Sequence, residues 1–433
     1  MIMRELEQLY SIFISHPKIS TDSRSDVEGT IFFALSGSAF NGNRFARESL
    51  NKGAVLAVID DPNLFDKKET KFFFVQDVLK TLQDLAQWHR QQFNIPVLAI
   101  TGTNGKTTSK ELTSSVLQKE KEIIYTKGNL NNYIGVPLTL LTIKQSTEIA
   151  VVEMGANHPG EIESLCRIAK PTHGIITNIG KAHLEGFESF EGVVKTKNEL
   201  YESIRKSGGK LFVNQGNPLL MNLSKGIEKI TYGEAPAFVS GKLLEADPFL
   251  KIGWKTKNGS LDIQTQLYGN YNFQNVMAAI AVGNYFSISE KNIENDLTEY
   301  IPKNNRSQIV TTSKNTLILD AYNANPESMS LAIETFSSQN FNNKILIIGD
   351  MFELGKDSEN EHQRILDQLQ HKSFQQIILV GKDFFKVQKD KKYPTFTTTE
   401  EAAAFLKDKN LRGNTILIKG SRGMQLETLV QYL

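Results

Sequence analysis

The sequence predicts an α/β fold in three domains, and three observations lead there. At 433 residues the chain is too long for one ordinary core, so two to four domains is the starting expectation. Short apolar runs recur along it with helical patterns between them, as in mostly parallel sheets covered on both faces. The pattern changes near residue 85 and again after Pro302, which sets the expected domains at 1–85, 86–302 and 303–433.

The first domain reads as a small α/β unit, with apolar runs at Thr30–Leu35 and Ala54–Ile59 broken by Gly and Asp. An amphipathic segment, Val78 to Phe93, leads out of it. The second domain carries apolar strands at Val97–Ile100, Ile149–Val152, Gly174–Thr177 and Leu211–Val213. Around 245–270 the alternation changes to that of antiparallel hairpins, with Asn258-Gly259 as a turn, and a helix from Phe273 to Tyr285 closes the domain. Strands at Thr316–Leu319, Ile345–Ile348, Ile377–Val380 and Thr415–Ile418 make the third domain a second doubly wound unit, Rossmann-like in layout. No fixed-period repeat or low-complexity tract interrupts this order.

Composition narrows the function. Hydrophobic residues make up 40% and charged residues 22%, ordinary for a soluble globular protein. Lys plus Arg total 49 against 48 for Asp plus Glu, so nothing supports a general nucleic-acid or membrane-surface binder, although a local basic cleft stays open. The single cysteine, Cys166, excludes an intramolecular disulfide framework and a multi-cysteine metal site. The N-terminal "MIMRELEQLYSIFISHPKIS" does not read as a signal peptide, and no run of about 18 apolar residues suggests a membrane span. A cytoplasmic protein is expected.

Chemistry enters at "TGTNGKTT", Thr101 to Thr108, directly after the strand Val97–Ile100. A strand, a glycine-rich turn and a Lys-Thr pair opening a helix is the arrangement that binds phosphate, with backbone N–H groups and the positive helix end facing the anion. Lys106 would sit against β/γ-phosphates and the Thr107 hydroxyl would bind Mg²⁺. The usual G-x-x-x-x-G-K-[ST] spacing would put its first glycine at Ile100, whereas the glycine here is Gly102. Glu153 ends the next apolar strand and is either a further Mg²⁺ anchor at the sheet's carboxyl edge or a cap or surface ion pair. His183 follows another strand; hard cations prefer oxygen, so by itself it reads as structural. Lys197 lies on a helical pattern and by default is a solvated lysine. In the third domain Asp320 ends a strand before "AYNANP", which suits ribose or phosphate contacts and equally suits helix capping, with Pro326 in the first turn. Asp350, Lys419 and Arg422 end further strands and would polarise the same edge.

These motifs, in this order, resemble the Mur ligase family, ATP-dependent enzymes that build the peptide stem of peptidoglycan. The family's phosphate loop reads G-T-N-G-K-[ST], Gly102 to Thr107 here, and the pattern continues in "EMGA" (153–156), "NIGKAHLEGF" (178–187), "YNFQNVMAA" (271–279), "NNRSQ" (304–308) and "DAYNANP" (320–326). "GNLNNYIGVPLTLL" (128–141), "IIGDMFELG" and "KGSRG" are most similar to the family member that adds D-alanyl-D-alanine. "TDSR" (21–24) and "FFALSGSAFNGNRF" (32–45) are similar to a UDP-sugar-binding domain, with Asn41-Gly42-Asn43 where the family more often has "DGH".

The resemblance implies a P-loop ATPase-like central domain and a role for each matching residue. Gly102, Thr103, Asn104, Gly105, Lys106, Thr107 and Thr108 would bind ATP, with Asn275 on adenine and Arg306, Asp320 and Asn325 reaching it from the third domain. Thr107 and Glu153 would hold one Mg²⁺. His183 and Lys197, the latter carbamylated by CO₂, would hold a second. Ser23, Arg24, Asn129, Asn131 and Asn132 would contact the UDP-muramoyl tripeptide.

The implied reaction phosphorylates the tripeptide's terminal carboxylate with ATP, giving an acyl phosphate that the amine of D-alanyl-D-alanine attacks. Lys106, Mg²⁺ and Arg306 would spread the charge of phosphoryl transfer. The third domain would close over the second, with Pro302 and Asn304-Asn305 as hinge positions, in a monomeric enzyme. The alternatives are the preceding, diamino-acid-adding ligase, a folylpolyglutamate synthetase, or a non-catalytic ATP-binding switch. Folate enzymes lack the UDP-sugar domain, and a switch needs no polar clusters in two separate domains.

Overall fold

The computed structural model describes residues 3–37, 40–65, 70–181, 184–234, 236–257, 259–303, 305–390 and 392–433. His183, Asn258 and Asn304 lie outside the described residues.

In the first domain a parallel sheet runs in the order Ile19–Ser20, Ile31–Phe33, Leu56–Ile59, Phe72–Phe74. Ile31–Phe33 and Leu56–Ile59 are buried at every position, which is why they read as unbroken apolar runs rather than alternation. The amphipathic segment is the helix Val78–Gln91, started by Asp77, whose carboxylate accepts the Lys80 N–H at 2.8 Å. Its apolar face packs on Met3–Ser15 to one side and on Gly135–Leu140 and Glu161–Ala169 to the other. One apolar core therefore continues from the first sheet into the second, and the expected boundary at 85/86 falls inside this helix.

The central sheet runs Gly259–Tyr268, Phe249–Thr256, Val239–Ala246, Glu228–Gly233, Lys210–Asn214, His173–Ile176, Val97–Thr101, Ile149–Glu153, Ile123–Tyr125. Its first three strands pair antiparallel as hairpins and the rest are parallel. From Val97–Thr101 the chain crosses to the edge strand Ile123–Tyr125 and back to Ile149–Glu153 on one side, then to His173–Ile176 and beyond on the other, so the phosphate loop leaves the sheet at a topological switch point, where open α/β sheets bind ligands. The helix Phe273–Tyr285 forms as expected; it is buried almost all round and packs on Lys106–Gln118, the helix behind that loop.

The third sheet runs Gln308–Thr311, Thr316–Asp320, Thr415–Lys419, Lys344–Gly349, Gln376–Val380, Thr395–Phe396, parallel apart from its first strand. Asp320 and Lys419 are direct neighbours in register at its carboxyl edge. No described helix is long and apolar enough to cross a membrane.

Candidate active site

The carboxyl edges of the second and third sheets face each other across a cavity of about 1040 Å³. The phosphate loop forms one wall, joining Val97–Thr101 to the helix Lys106–Gln118. Gly102 has φ +145°, and a Cβ there would lie 2.0 Å from Thr177 Oγ1. That hydroxyl donates to the Asn104 carbonyl at 2.6 Å, so the neighbouring strand end presses on the loop at residue 102. The glycine belongs there for that reason and not at the position of Ile100. Gly105, at φ +76°, is equally constrained, since a Cβ would sit 2.5 Å from Asn275 Oδ1.

One expectation about the loop needs correction. The N–H groups of Thr103 and Asn104 do not face an anion; they donate to the carbonyl and side-chain oxygens of Asn178, at 3.0 and 2.9 Å. Thr103 Oγ1 also exchanges hydrogen bonds with Gly180. Thr103 and Asn104 still line the cavity, together with Gly105, Lys106, Thr107 and Thr108 of the helix start, where the first helical N–H groups suit an anion. Lys106 curls over the loop, Nζ donating to the carbonyls of Gly102 and Thr103 at 2.8 and 3.0 Å. Lost hydration pushes its pKa down, Glu153 opposes that shift and Arg306 adds to it.

Glu153 is 1% exposed, and one oxygen, Oε1, accepts from both Thr107 Oγ1 at 3.2 Å and Asn131 Nδ2 at 2.7 Å. Its other oxygen, Oε2, is buried with no partner. A buried carboxylate oxygen left open beside a threonine hydroxyl, at the mouth of a phosphate loop, fits a hard cation such as Mg²⁺. Lys197 is 2% exposed, not a solvated surface lysine; burial first, then the charge of Lys106, bring its pKa down to about 7. An amine so tuned is substantially neutral, hence nucleophilic, near neutral pH.

The third domain supplies the opposite wall. Arg306 stacks 3.6 Å from the centroid of Tyr322, and its Nε is buried without a partner. Asp320 is held by Lys419 Nζ at 2.6 Å and accepts the Ser307 N–H at 3.3 Å. Asn325 caps the helix Pro326–Ser338, its side chain accepting the Ser328 N–H, and also reaches Asn104 with Nδ2 at 2.7 Å. Of the two expected uses of this loop, Asn325 shows the capping one, and its remaining amide donor goes to Asn104 at the cavity wall. Asn275 sits beneath the phosphate loop, bonded to Ser109 and Asn272.

Other candidates lie differently. Asn129 and Asn132 also line the cavity, and Asn132 Oδ1 accepts the N–H groups of Ile134 and Gly135, starting the helix Gly135–Leu140. Ser23 and Arg24 do not line it: Arg24 is exposed and paired with Asp22 at 2.8 Å, while Ser23 is buried and its carbonyl accepts Lys52 Nζ. Asn43 is a structural tie, donating to Asp60 Oδ1 and accepting the N–H groups of Asp60 and Asp61. Asp350, expected to polarise the carboxyl edge of the third sheet, has its charge engaged within the domain. Its oxygens accept the N–H groups of Asp383 and Phe384 at 2.9 and 3.0 Å, anchoring the helix Lys382–Val387. Arg422 faces Tyr322 at 5.3 Å from its centroid and pairs with Glu427.

Residues 100–283 match the Mur ligase middle domain, and residues 305–422 match the Mur ligase, glutamate ligase domain. The chain belongs to the Mur ligase family. Over 97% of its length this Mur ligase is 33% identical to the UDP-N-acetylmuramoyl-tripeptide–D-alanyl-D-alanine ligase of Buchnera aphidicola subsp. Baizongia pistaciae, of which it covers 93%. It is 32% identical to the Bacillus subtilis enzyme of the same name, over 96% of this chain and 92% of that one. MurF from Acinetobacter baumannii has the same fold, with a TM-score of 0.87 at 30% identity, covering 99% of this chain and 97% of that one. Three residues of this Mur ligase site escaped sequence reasoning: Tyr322 under Arg306, Asn178 behind the loop, and Glu327 against Asn104. Tyr322 and Glu327 flank "NANP" and Asn178 opens "NIGKAH", motifs that were noticed without these residues being singled out.

Proposed function

We propose that this chain is an ATP-dependent, ADP-forming ligase that joins D-alanyl-D-alanine to UDP-N-acetylmuramoyl-tripeptide in peptidoglycan precursor synthesis. The observation that carries this reading is the shared cavity. It sets the phosphate loop and the open oxygen of Glu153 opposite Arg306, Asp320 and Asn325. The likeness to D-alanyl-D-alanine ligases along nearly the whole chain supports the choice of substrates. The first domain would hold the UDP-muramoyl end through Ser23 and Arg24, and Asn129, Asn131 and Asn132 would meet the tripeptide where they line the cavity. The enzyme would work as a cytoplasmic monomer.

The carboxylate of the tripeptide attacks the γ-phosphorus of ATP; the bridging P–O bond breaks and ADP leaves with its electron pair. Lys106 and Arg306 stabilise charge on the transferring group from opposite walls. The neutral amine of D-alanyl-D-alanine then adds to the acyl carbon, and phosphate departs with the C–O bond's electron pair as the nitrogen gives up one proton and keeps the other as the amide N–H. Thr107 and Glu153 would hold a Mg²⁺ ion, which screens the phosphate charge when bound. Asn275 would meet the adenine. Lys197 would add CO₂ through its neutral amine, losing a proton to give a carbamate, and with His183 hold a second Mg²⁺.

An acceptor screen tests the assignment. Phosphate release from ATP and UDP-muramoyl tripeptide is expected to require D-alanyl-D-alanine; release instead from ATP and UDP-muramoyl dipeptide with meso-diaminopimelate or lysine would assign the preceding step, and no release with either pair would leave a switch. For Lys197, ¹³CO₂ should give a carbamate NMR signal that Lys197→Ala lacks. Lys197→Ala should lose nearly all ligation, recover part of it with short carboxylates, and still bind ATP. Unchanged turnover would remove the carbamate from the mechanism.

A further inference from the structure

The side chain of Asn104 spans the cleft between the two domains with both of its polar atoms. Its Oδ1 accepts from Asn325 Nδ2 at 2.7 Å, and its Nδ2 donates to Glu327 Oε2 at 3.0 Å. Both partners belong to the start of the helix Pro326–Ser338 in the third domain, with Asn325 as the cap and Glu327 in the first turn. Below them, Gly180 leaves room for the carboxylate: a Cβ there would lie 1.9 Å from Glu327 Oε2. Gly180 is also bonded to Thr103, so the segment under Glu327 belongs to the same framework as the phosphate loop. The backbone of Asn104 is fixed in turn by Asn178 and Thr177.

We propose that Asn104 is a positioning residue, the catch through which the third domain grips the phosphate loop, with Glu327 and Gly180 forming its seat. An amide is suited to the task because it presents one acceptor and one donor, and it meets one donor and one acceptor here. Burial raises the Glu327 pKa and the Asn104 hydrogen bond lowers it, so the carboxylate is partly desolvated by this contact. The catch couples two events the reaction needs together, occupation of the loop and delivery of Arg306 and Asp320 from the third domain. Both groups line the cavity in the arrangement in which the Asn104 contacts are made. The inference rests on the phosphate-loop reading but not on the identity of the acceptor.

The test is a distance measurement between spin labels at Lys206→Cys and Gln363→Cys, exposed sites on the central and third domains, with a non-hydrolysable ATP analogue bound. The otherwise unsubstituted protein should show one dominant short distance. Glu327→Ala and, independently, Gly180→Ala should shift population to longer distances. Asn104→Asp, which sets two carboxylates face to face, should shift it furthest. Asn104→Asp combined with Glu327→Gln restores one donor facing one acceptor and should return the short distance. In turnover, Glu327→Ala should lower kcat by about 10-fold with the ATP KM changed less than about threefold, and Glu327→Gln should recover most of it. Unaltered distances in Glu327→Ala, or no recovery in the paired variant beyond Asn104→Asp alone, would overturn the catch. Calorimetry with the analogue reports nucleotide binding separately, so a failed loop reading and a failed catch give different results.

Discussion

Glu153 and Asp350 make a natural pair. Each is a buried carboxylate at the carboxyl edge of a parallel sheet, following an apolar strand, one in the central domain and one in the third. Their surroundings diverge at the second oxygen. Asp350 has both oxygens satisfied by the N–H groups of Asp383 and Phe384, with His362 Nε2 at 3.6 Å. His362 is itself committed, accepting the Met351 N–H and bonded through Nδ1 to Ser358. Asp350, His362 and Asp383 are close enough together to suggest a metal centre, yet the histidine has no lone pair left to give one. Glu153 gathers both its donors on one oxygen and leaves the other buried without a partner, in a residue that lines the cavity. Position at a strand end does not by itself suit a carboxylate to a cation; a buried oxygen with no other partner does.

The largest expected effect comes from removing the open oxygen's charge. Glu153→Gln keeps an acceptor for Thr107 and Asn131 and should lower Mg²⁺-dependent turnover by about 10³-fold, roughly 4 kcal/mol of transition-state stabilisation. Stability without nucleotide should change by less than about 1 kcal/mol, because the lost carboxylate was under-satisfied. Urea unfolding and single-turnover assays on the same preparation separate the two numbers. A large stability loss with retained turnover would make Glu153 a second Asp350 and break the contrast.

Asp350→Asn is the reverse experiment. The amide keeps one acceptor but turns a donor toward an N–H of the helix Lys382–Val387, leaving a buried clash of donors. A loss of about 2–3 kcal/mol is expected in urea unfolding, with kcat per folded molecule changed less than about threefold. A still smaller change is expected from Arg24→Ala if stability alone is read. Its pair with Asp22 is solvent-exposed and contributes little, so any fall in affinity for the UDP-muramoyl substrate would be direct contact.

Much of the frame was legible in the sequence because it is local. Buried parallel strands wrote themselves as apolar runs, the Phe273–Tyr285 helix ended where expected, and Pro326 took the first turn behind an asparagine cap. The site was legible where motif and geometry coincide, at Lys106, Thr107 and Glu153. What escaped was set by contacts between distant segments. Asn104 meets Asn325 and Glu327 more than two hundred residues later. Asp350 reads in the sequence as one of the charges polarising the third sheet's edge, and nothing local shows that the helix at Lys382 turns its N–H groups toward it. Lys197 sits on an amphipathic helical pattern and gives no local sign that its side chain is buried. In each case the deciding fact is which way a neighbouring element faces, and no periodicity encodes that.

The amino edge of the central sheet gives the comparison its control, since a titrating group there has no ligand role to confuse it. His173 starts the strand His173–Ile176, bonded to Thr172 Oγ1 at 2.9 Å and set against Phe212, Tyr285 and Phe286. Burial first, then the charge of Lys210, lower its pKa to about 4, with Glu228 opposing. The native imidazole therefore stays neutral at pH values where the unfolded chain, with a histidine pKa of about 6.5, binds a proton. The unfolded state holds more protons between those values, so stability falls as pH drops from about 6.5 toward 4 and is unaffected above. His173→Gln should flatten that fall by on the order of 1–2 kcal/mol at pH 5, read as the difference between urea curves at pH 7 and pH 5. An identical pH dependence in the variant would mean the acid sensitivity belongs to the buried carboxylates, and the carboxyl edges would then carry both the chemistry and its limits.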